Sequence, residues 1–107
     1  MAYDQTLAER VRSALARHGV VEKKMFGGLA FMLRGNMCCG VLRDDLIVRV
    51  GPQKFAQALS MPHARPMDIT GRPMKGFVMV GPAGYGTDEA LTQWITLGVD
   101  SAGSLPP

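Results

Sequence analysis

Between Leu29 and Val50 the chain repeats one pattern three times: a short run with strand periodicity, bounded by polar residues that turn the backbone. In Leu29-Ala30-Phe31-Met32-Leu33 the larger side chains Leu29, Phe31 and Leu33 fall on one face. Arg34-Gly35-Asn36 supplies turn chemistry before Met37 to Leu42 begins the next run, and Arg43-Asp44-Asp45 turns the chain again. Leu46, Val48 and Val50 then alternate with Ile47 and Arg49. A three-stranded meander with one buried face follows from this pattern. Gly27-Gly28 interrupts the start of the first strand, where a bulge or a close backbone approach is the usual reason for glycine.

The flanking segments complete an α+β order. Leu7, Val11, Ala14, Leu15 and His18 recur at helical spacing, with Thr6 and Glu9 spaced as a capping box, Asp4 as a competing cap and Gly19 as the stop. After Gly51, Pro52 opens a short helix through Leu59, which Met61-Pro62 closes. Ala64 to Ile69 has strand composition, but Pro66 confines it to a sheet edge, and Thr70-Gly71-Arg72-Pro73 reads as a turn. Phe77-Val78-Met79-Val80 is the final strand, broken by Gly81-Pro82 and by Gly84-Tyr85-Gly86. Thr87 caps a last helix to about Leu97, with Leu91, Trp94, Ile95 and Gly98 on its buried side; Val99 to Pro107 is expected to fray. The order α-β-β-β-α-β-β-α predicts two layers, one antiparallel sheet with helices over one face. A chain of 107 residues suits one domain, placed at 1–100 with a flexible tail at 101–107.

Charge and cysteine usage exclude more than they indicate. The formal charge is only +3, but residues 1–80 hold all twelve Lys and Arg with six acidic side chains, a net +6, whereas the residues from Gly81 onward hold three acids and no Lys or Arg. Cys38 and Cys39 are adjacent, an awkward geometry for an intrastrand disulfide, and read as reduced thiols packed as small apolar groups. His18 and His63 lie too far off for zinc-ligand spacing, so no metal and no cofactor is expected. No apolar run approaches the roughly 20 residues of a membrane span, and the start lacks a signal peptide's basic and apolar regions; a soluble, cytoplasmic chain is the expectation.

No phosphate-binding loop, dinucleotide fingerprint or nucleophile elbow occurs, and Asp44-Asp45 reads as a turn former rather than a catalytic acid pair. Catalysis is therefore not expected. More unusual is the repeated tripeptide Arg65-Pro66-Met67 and Arg72-Pro73-Met74, followed by Lys75. If the two strands neighbour each other, Arg65, Arg72 and Lys75 can gather to bind an anion or an acidic partner; with Lys23 and Lys24 they are the candidate partner-binding residues. Eight methionines are many for so short a chain. With Ala30, Met32 and Leu42 opposite their larger neighbours, the second face of the sheet is expected to be partly apolar, which makes self-association into a homodimer an expectation.

The run Lys23-Lys24-Met25-Phe26-Gly27-Gly28-Leu29-Ala30-Phe31, then Gly35-Asn36-Met37, Asp45 to Val50 and the Gly71 to Val80 stretch resemble the TfoX/Sxy N-terminal domain, over about residues 4–100. Met25, Phe26, Gly27 and Gly28 form the motif of that resemblance. It implies a secretion-chaperone-like fold in the order α-β(3)-α-β(2)-α. It also implies a regulatory, non-catalytic role, since longer members control competence for DNA uptake by acting with the cyclic AMP receptor protein, a transcription factor. Those proteins carry a further helical domain, for which a chain ending at Pro107 has no room. The expected function is thus a small regulatory domain that binds another protein. Direct binding of nucleic acid through Arg10, Arg17, Lys23, Lys24, Arg65, Arg72 and Lys75 is a second reading. A small-ligand or thiol site near Gly27-Gly28, Cys38 or Cys39 and Lys75 is a third.

Overall fold

The meander forms because its turns are built from residues that tolerate left-handed backbone. In the computed structural model, which describes residues 3–25, 27–68 and 74–106, strands β2 (Gly28–Leu33), β3 (Asn36–Leu42) and β4 (Asp45–Arg49) follow one another through two-residue connections. Arg34 and Gly35 both take positive φ, 50° and 86°, the combination that matches the twist of a tight hairpin. Arg43 does the same at the second turn, with φ 54°. Two further strands, β5 (Ala64–Met67) and β6 (Met74–Val80), extend the sheet beyond β4, with β5 and its Pro66 at the edge as expected.

The sheet has one strand more than the sequence suggested. Val21–Met25 forms β1, which pairs antiparallel with β2 from Val21↔Met32 to Met25↔Gly28 and completes the order β1-β2-β3-β4-β6-β5. Its residues Val21 to Lys24 are exposed, so no apolar alternation announces a strand here. What makes it one is the free edge of β2. Gly28 permits the neighbouring ladder to close: a Cβ there would collide with the carbonyl oxygen of Val41, so the need for glycine is close approach, while the positive φ belongs to Gly27.

Helices cover one face only. α1 (Gln5–Ala14) continues into a 3-10 turn at Ala16–His18, and Gly19 stops it with φ 69°. Asp4 is its cap rather than the Thr6–Glu9 pair, accepting from the Leu7 amide at 3.1 Å. α2 is shorter than expected, Phe55–Leu59, with turns over Pro52–Lys54. The stretch expected as a glycine-rich break forms a one-turn helix α3 (Pro82–Tyr85), with Pro82 at its first position. α4 (Asp88–Gly103) is capped by Thr87 as read, but runs six residues past Leu97, through the segment expected to fray. Beyond it the chain is held to the sheet: Arg34 donates to the Gly103 carbonyl and Asn36 to that of Pro106, both at 2.8 Å. The expected turn Thr70-Gly71-Arg72-Pro73 and Phe26 lie outside the described residues.

The main core lies between sheet and helices. Leu29, Phe31, Val41, Leu46, Val48, Val78 and Val80 of the sheet meet Leu7, Val11 and Leu15 of the first helical segment and Leu91, Trp94 and Ile95 of α4. Strict alternation would send Cys38 and Cys39 to opposite faces. The ladder shifts there instead: Phe31 pairs with Cys39 and Met32 with Met37, which leaves Cys38 as the extra residue of a bulge, and both thiols join the helix-side core. α4 presses directly on this bulge through Gly98, whose missing side chain would meet the Cys38 carbonyl and lie 2.8 Å from the Cys39 sulfur. At the other end Tyr85 donates to the Asp44 carbonyl at 2.6 Å and Trp94 to that of Gly84 at 3.2 Å, tying α3 and α4 to the β3–β4 turn.

These contacts yield two expectations. Gly28→Val and Gly98→Val should each lower stability by about 1 to 3 kcal/mol, since backbone atoms block the added group; chemical denaturation with an unchanged midpoint would show that the approach is not tight. Burial, and then the nearby carboxylates of Asp4, Asp44 and Asp45, raise the Tyr85 hydroxyl from 10.0 to about 12. Its protonated form is favoured by folding, so its contribution is intact below pH 10 and lost as pH rises through about 12. Stability measured across that window should fall less steeply in Tyr85→Phe.

Candidate functional site

The face of the sheet that no helix covers carries its own apolar cluster. Ala30, Met37, Leu42, Ile47, Met67 and Met79 are buried in it, with Met25, Met32, Met74 and Phe77 half-buried around them. Strand alternation explains the separation: Leu46 and Val48 of β4 point to the helices, so Ile47 and its neighbours Asp45 and Arg49 point away. Six of the eight methionines lie here, and among the described residues no helical one belongs to the cluster. The partly apolar second face expected from the sequence is therefore present.

Three charged side chains interrupt the apolar surface. Asp45, 7% exposed, is held by Arg65 of β5 at 2.6 Å, a pair whose Arg side remains half-exposed. Arg49 has a different situation. Its Nε donates to the Met37 carbonyl at 2.6 Å, and its guanidinium carbon sits 4.6 Å from the centre of the Phe77 ring. Partial burial pulls its pKa below the ordinary Arg value, and among the described residues it pairs with no carboxylate. Arg49 and Phe77 were not singled out from the sequence; the available signal was a charged residue at a face position of a strand otherwise apolar.

The residues that were singled out divide between two edges. Lys23 and Lys24 are exposed on β1, where pairing with Ala30 places Lys23 on the open face and pairing with Leu29 places Lys24 on the helix side. Arg65 and Lys75 are on β5 and β6, five and four strand spacings from β1, roughly 24 and 19 Å away across the sheet. Arg72 and Phe26 lie outside the described residues. Met25 joins the open-face cluster, while Gly27 and Gly28 shape the β1–β2 connection. On the helix side, Arg10 donates to the Tyr85 and Gly86 carbonyls and pairs with Asp88, all at 3.2 Å, and Arg12 clasps Glu22 of β1 at 2.5 and 2.7 Å, which holds that carboxylate below its usual range.

Neither thiol opens on a cleft. One cleft of about 410 Å³ lies between the end of α1 and α4, lined by Arg17, His18 and Thr96; another of about 390 Å³ is lined by Lys54, Ser101 and Ser104. Cys38 and Cys39 line neither, and both are 0% exposed. Their mutual hydrogen bond lowers the Cys38 pKa and raises that of Cys39 well above a free thiol's, burial adding to the second shift. Among the described residues no three His, Cys, Asp or Glu side chains gather as metal donors. No helix among them is long and apolar enough to cross a membrane.

The model of the TfoX N-terminal domain family matches residues 10–102, and the chain belongs to that family. It is not a known family of enzymes. Among curated proteins none matches the chain.

Burial of the thiols sets a direct expectation for their chemistry. A neutral alkylating reagent should modify Cys38 and Cys39 of the folded chain at least about a hundredfold more slowly than in the unfolded chain, because access requires local opening. Mass spectrometry showing rapid labelling at native conditions would contradict that packing.

Proposed function

We propose that this member of the TfoX N-terminal domain family is a small regulatory domain that acts by binding another protein through the open face of its sheet. The observation that carries the reading is the methionine-rich cluster on a face no helix covers. Methionine side chains are flexible and polarizable, suited to fitting a partner, and Met, Phe and Arg are enriched where protein surfaces meet. The members a partner could touch are the half-buried Met25, Met32, Met74 and Phe77, and apolar surface rimmed by charge is the ordinary mark of such a site. The family resemblance adds the finer content of the proposal: regulation of transcription in competence for DNA uptake, in the cytoplasm, with a transcription factor of the cyclic AMP receptor type as partner.

Nucleic acid draws less support from the same surface. Of its candidate basic residues, Lys23 and Lys24 lie on β1, Arg65 and Lys75 on β5 and β6 at the other end of the strand order, and Arg10 and Arg17 on the helical segment, while Arg10 and Arg65 already engage protein acceptors. Neither thiol lines either of the two clefts described above, so a thiol-based reaction draws no support from them.

The test is affinity capture from nuclease-treated host lysate with the wild-type chain, with Met32→Lys on the open face, and with Thr92→Lys on exposed α4. A specific protein retained by wild type and by Thr92→Lys, and lost at least about tenfold in Met32→Lys, is expected. Met32 is half-exposed, so the melting temperature should barely move. Equal capture by all three, or no protein above background, would refute the reading.

A further inference from the structure

Arg49 is the one charged side chain of the open-face cluster that combines partial burial with the lack of a carboxylate at ion-pair distance among the described residues. A guanidinium offers five N–H donors. Here Nε alone is used, on the Met37 carbonyl, while the ring of Phe77 flanks the planar group. Those two contacts fix the orientation of the fork and leave its terminal amino groups without an acceptor among the described residues. Removing a cation from water without a counter-charge costs free energy, and burial lowers its pKa accordingly.

We propose that the partner of the open face is an apolar protein segment that carries an Asp or Glu, whose carboxylate closes on the two free amino groups of Arg49 while its apolar neighbours cover the methionines around it. This deepens, and rests on, the reading of that face as a protein-binding surface. The fork accepts a carboxylate in a two-point geometry, and the contacts with Phe77 and Met37 hold it ready, so little rotamer entropy is lost on binding.

The surroundings decide between anions. A nucleic-acid backbone presents phosphates at close spacing and calls for a row of cations. Around Arg49 the face is methionine, isoleucine and phenylalanine; of the other cations on it, Arg65 is two strands away and engaged by Asp45, and Lys23 is three strands away. A second copy of this chain is a poor source of the carboxylate too. The acid that its own open face could offer is Asp45, and that group is buried and held by Arg65.

A photoreactive methionine analogue, incorporated into the full chain in host cells, tests the placement. Cross-linked segments are identified by mass spectrometry, and the segment joined to the open-face methionines is synthesised twice, with its carboxylate and with the matching carboxamide. Both peptides are titrated against wild type, Arg49→Gln and Arg49→Lys. The carboxamide peptide should bind wild type at least about thirtyfold more weakly, and Arg49→Gln should bind both peptides alike at that weaker level. Arg49→Lys, which keeps charge but loses the fork, should fall between. Where Arg49→Gln fails to fold, the carboxamide exchange on wild type and the Arg49→Lys titration decide alone. Equal binding of the two peptides, a segment without Asp or Glu, or a segment from a second copy would overturn this inference and leave the open face as a binding surface. Absence of any cross-link from the open-face methionines, or cross-links to nucleic acid alone, would overturn both.

Discussion

The layout of this molecule depends on how closely α4 lies on the bulged strand β3. Gly98 lets the helix backbone reach the Cys38 carbonyl, and the bulge turns two adjacent thiols to the same side so that the contact is filled. With β3 at the centre of the meander, this contact fixes which face belongs to the helices. Leu91, Trp94 and Ile95 then share a core with Phe31, Val41 and Val48, and everything one residue out of phase is turned away from it. The methionine face is thus a geometric consequence of the same pairing that builds the core.

The two faces are finished differently. On the helix side, polar side chains mostly close the joints between elements: Tyr85 on the β3–β4 turn, Trp94 on α3, Arg10 across to α3 and the start of α4. Their partners are carbonyls or nearby carboxylates of the chain itself. On the open face the Asp45–Arg65 pair is similarly complete, whereas Arg49 is not. Among the described residues this face thus satisfies the Asp45 carboxylate and leaves the Arg49 fork oriented but unfilled, the asymmetry on which the proposed recognition rests.

Much of the fold was legible in the sequence where a single period ruled. β2 to β4 could be read because large apolar residues alternate between turn-forming residues, and the apolar second face because Ala30, Met32 and Leu42 fall out of phase with them. β1 escaped notice because its Val-Glu-Lys-Lys-Met run is exposed and takes its place from the free edge of β2 rather than from its own burial. The far end of α4 was hidden by small and polar residues, since what holds it is hydrogen bonding from Arg34 and Asn36 and the burial of Ala102. Asp4 outcompeted a well-spaced capping box by geometry that spacing does not contain. For the site, sequence pointed to basic residues by number and proximity in the chain. Arg49 became visible only when its face, its aromatic neighbour and its lack of a counter-ion could be seen together.

An open sheet has two borders at which another strand could in principle dock and continue it. At one border β1 offers Lys23 and Lys24, and at the other β5 carries Pro66, which has no amide hydrogen to give. Lateral growth into a ribbon or fibril is discouraged at both. The half-buried rim of the open face, Met25, Met32, Met74 and Phe77, therefore lies between two borders that resist extension, and a partner of the kind proposed for it would arrive broadside, across the strands, rather than in line with them.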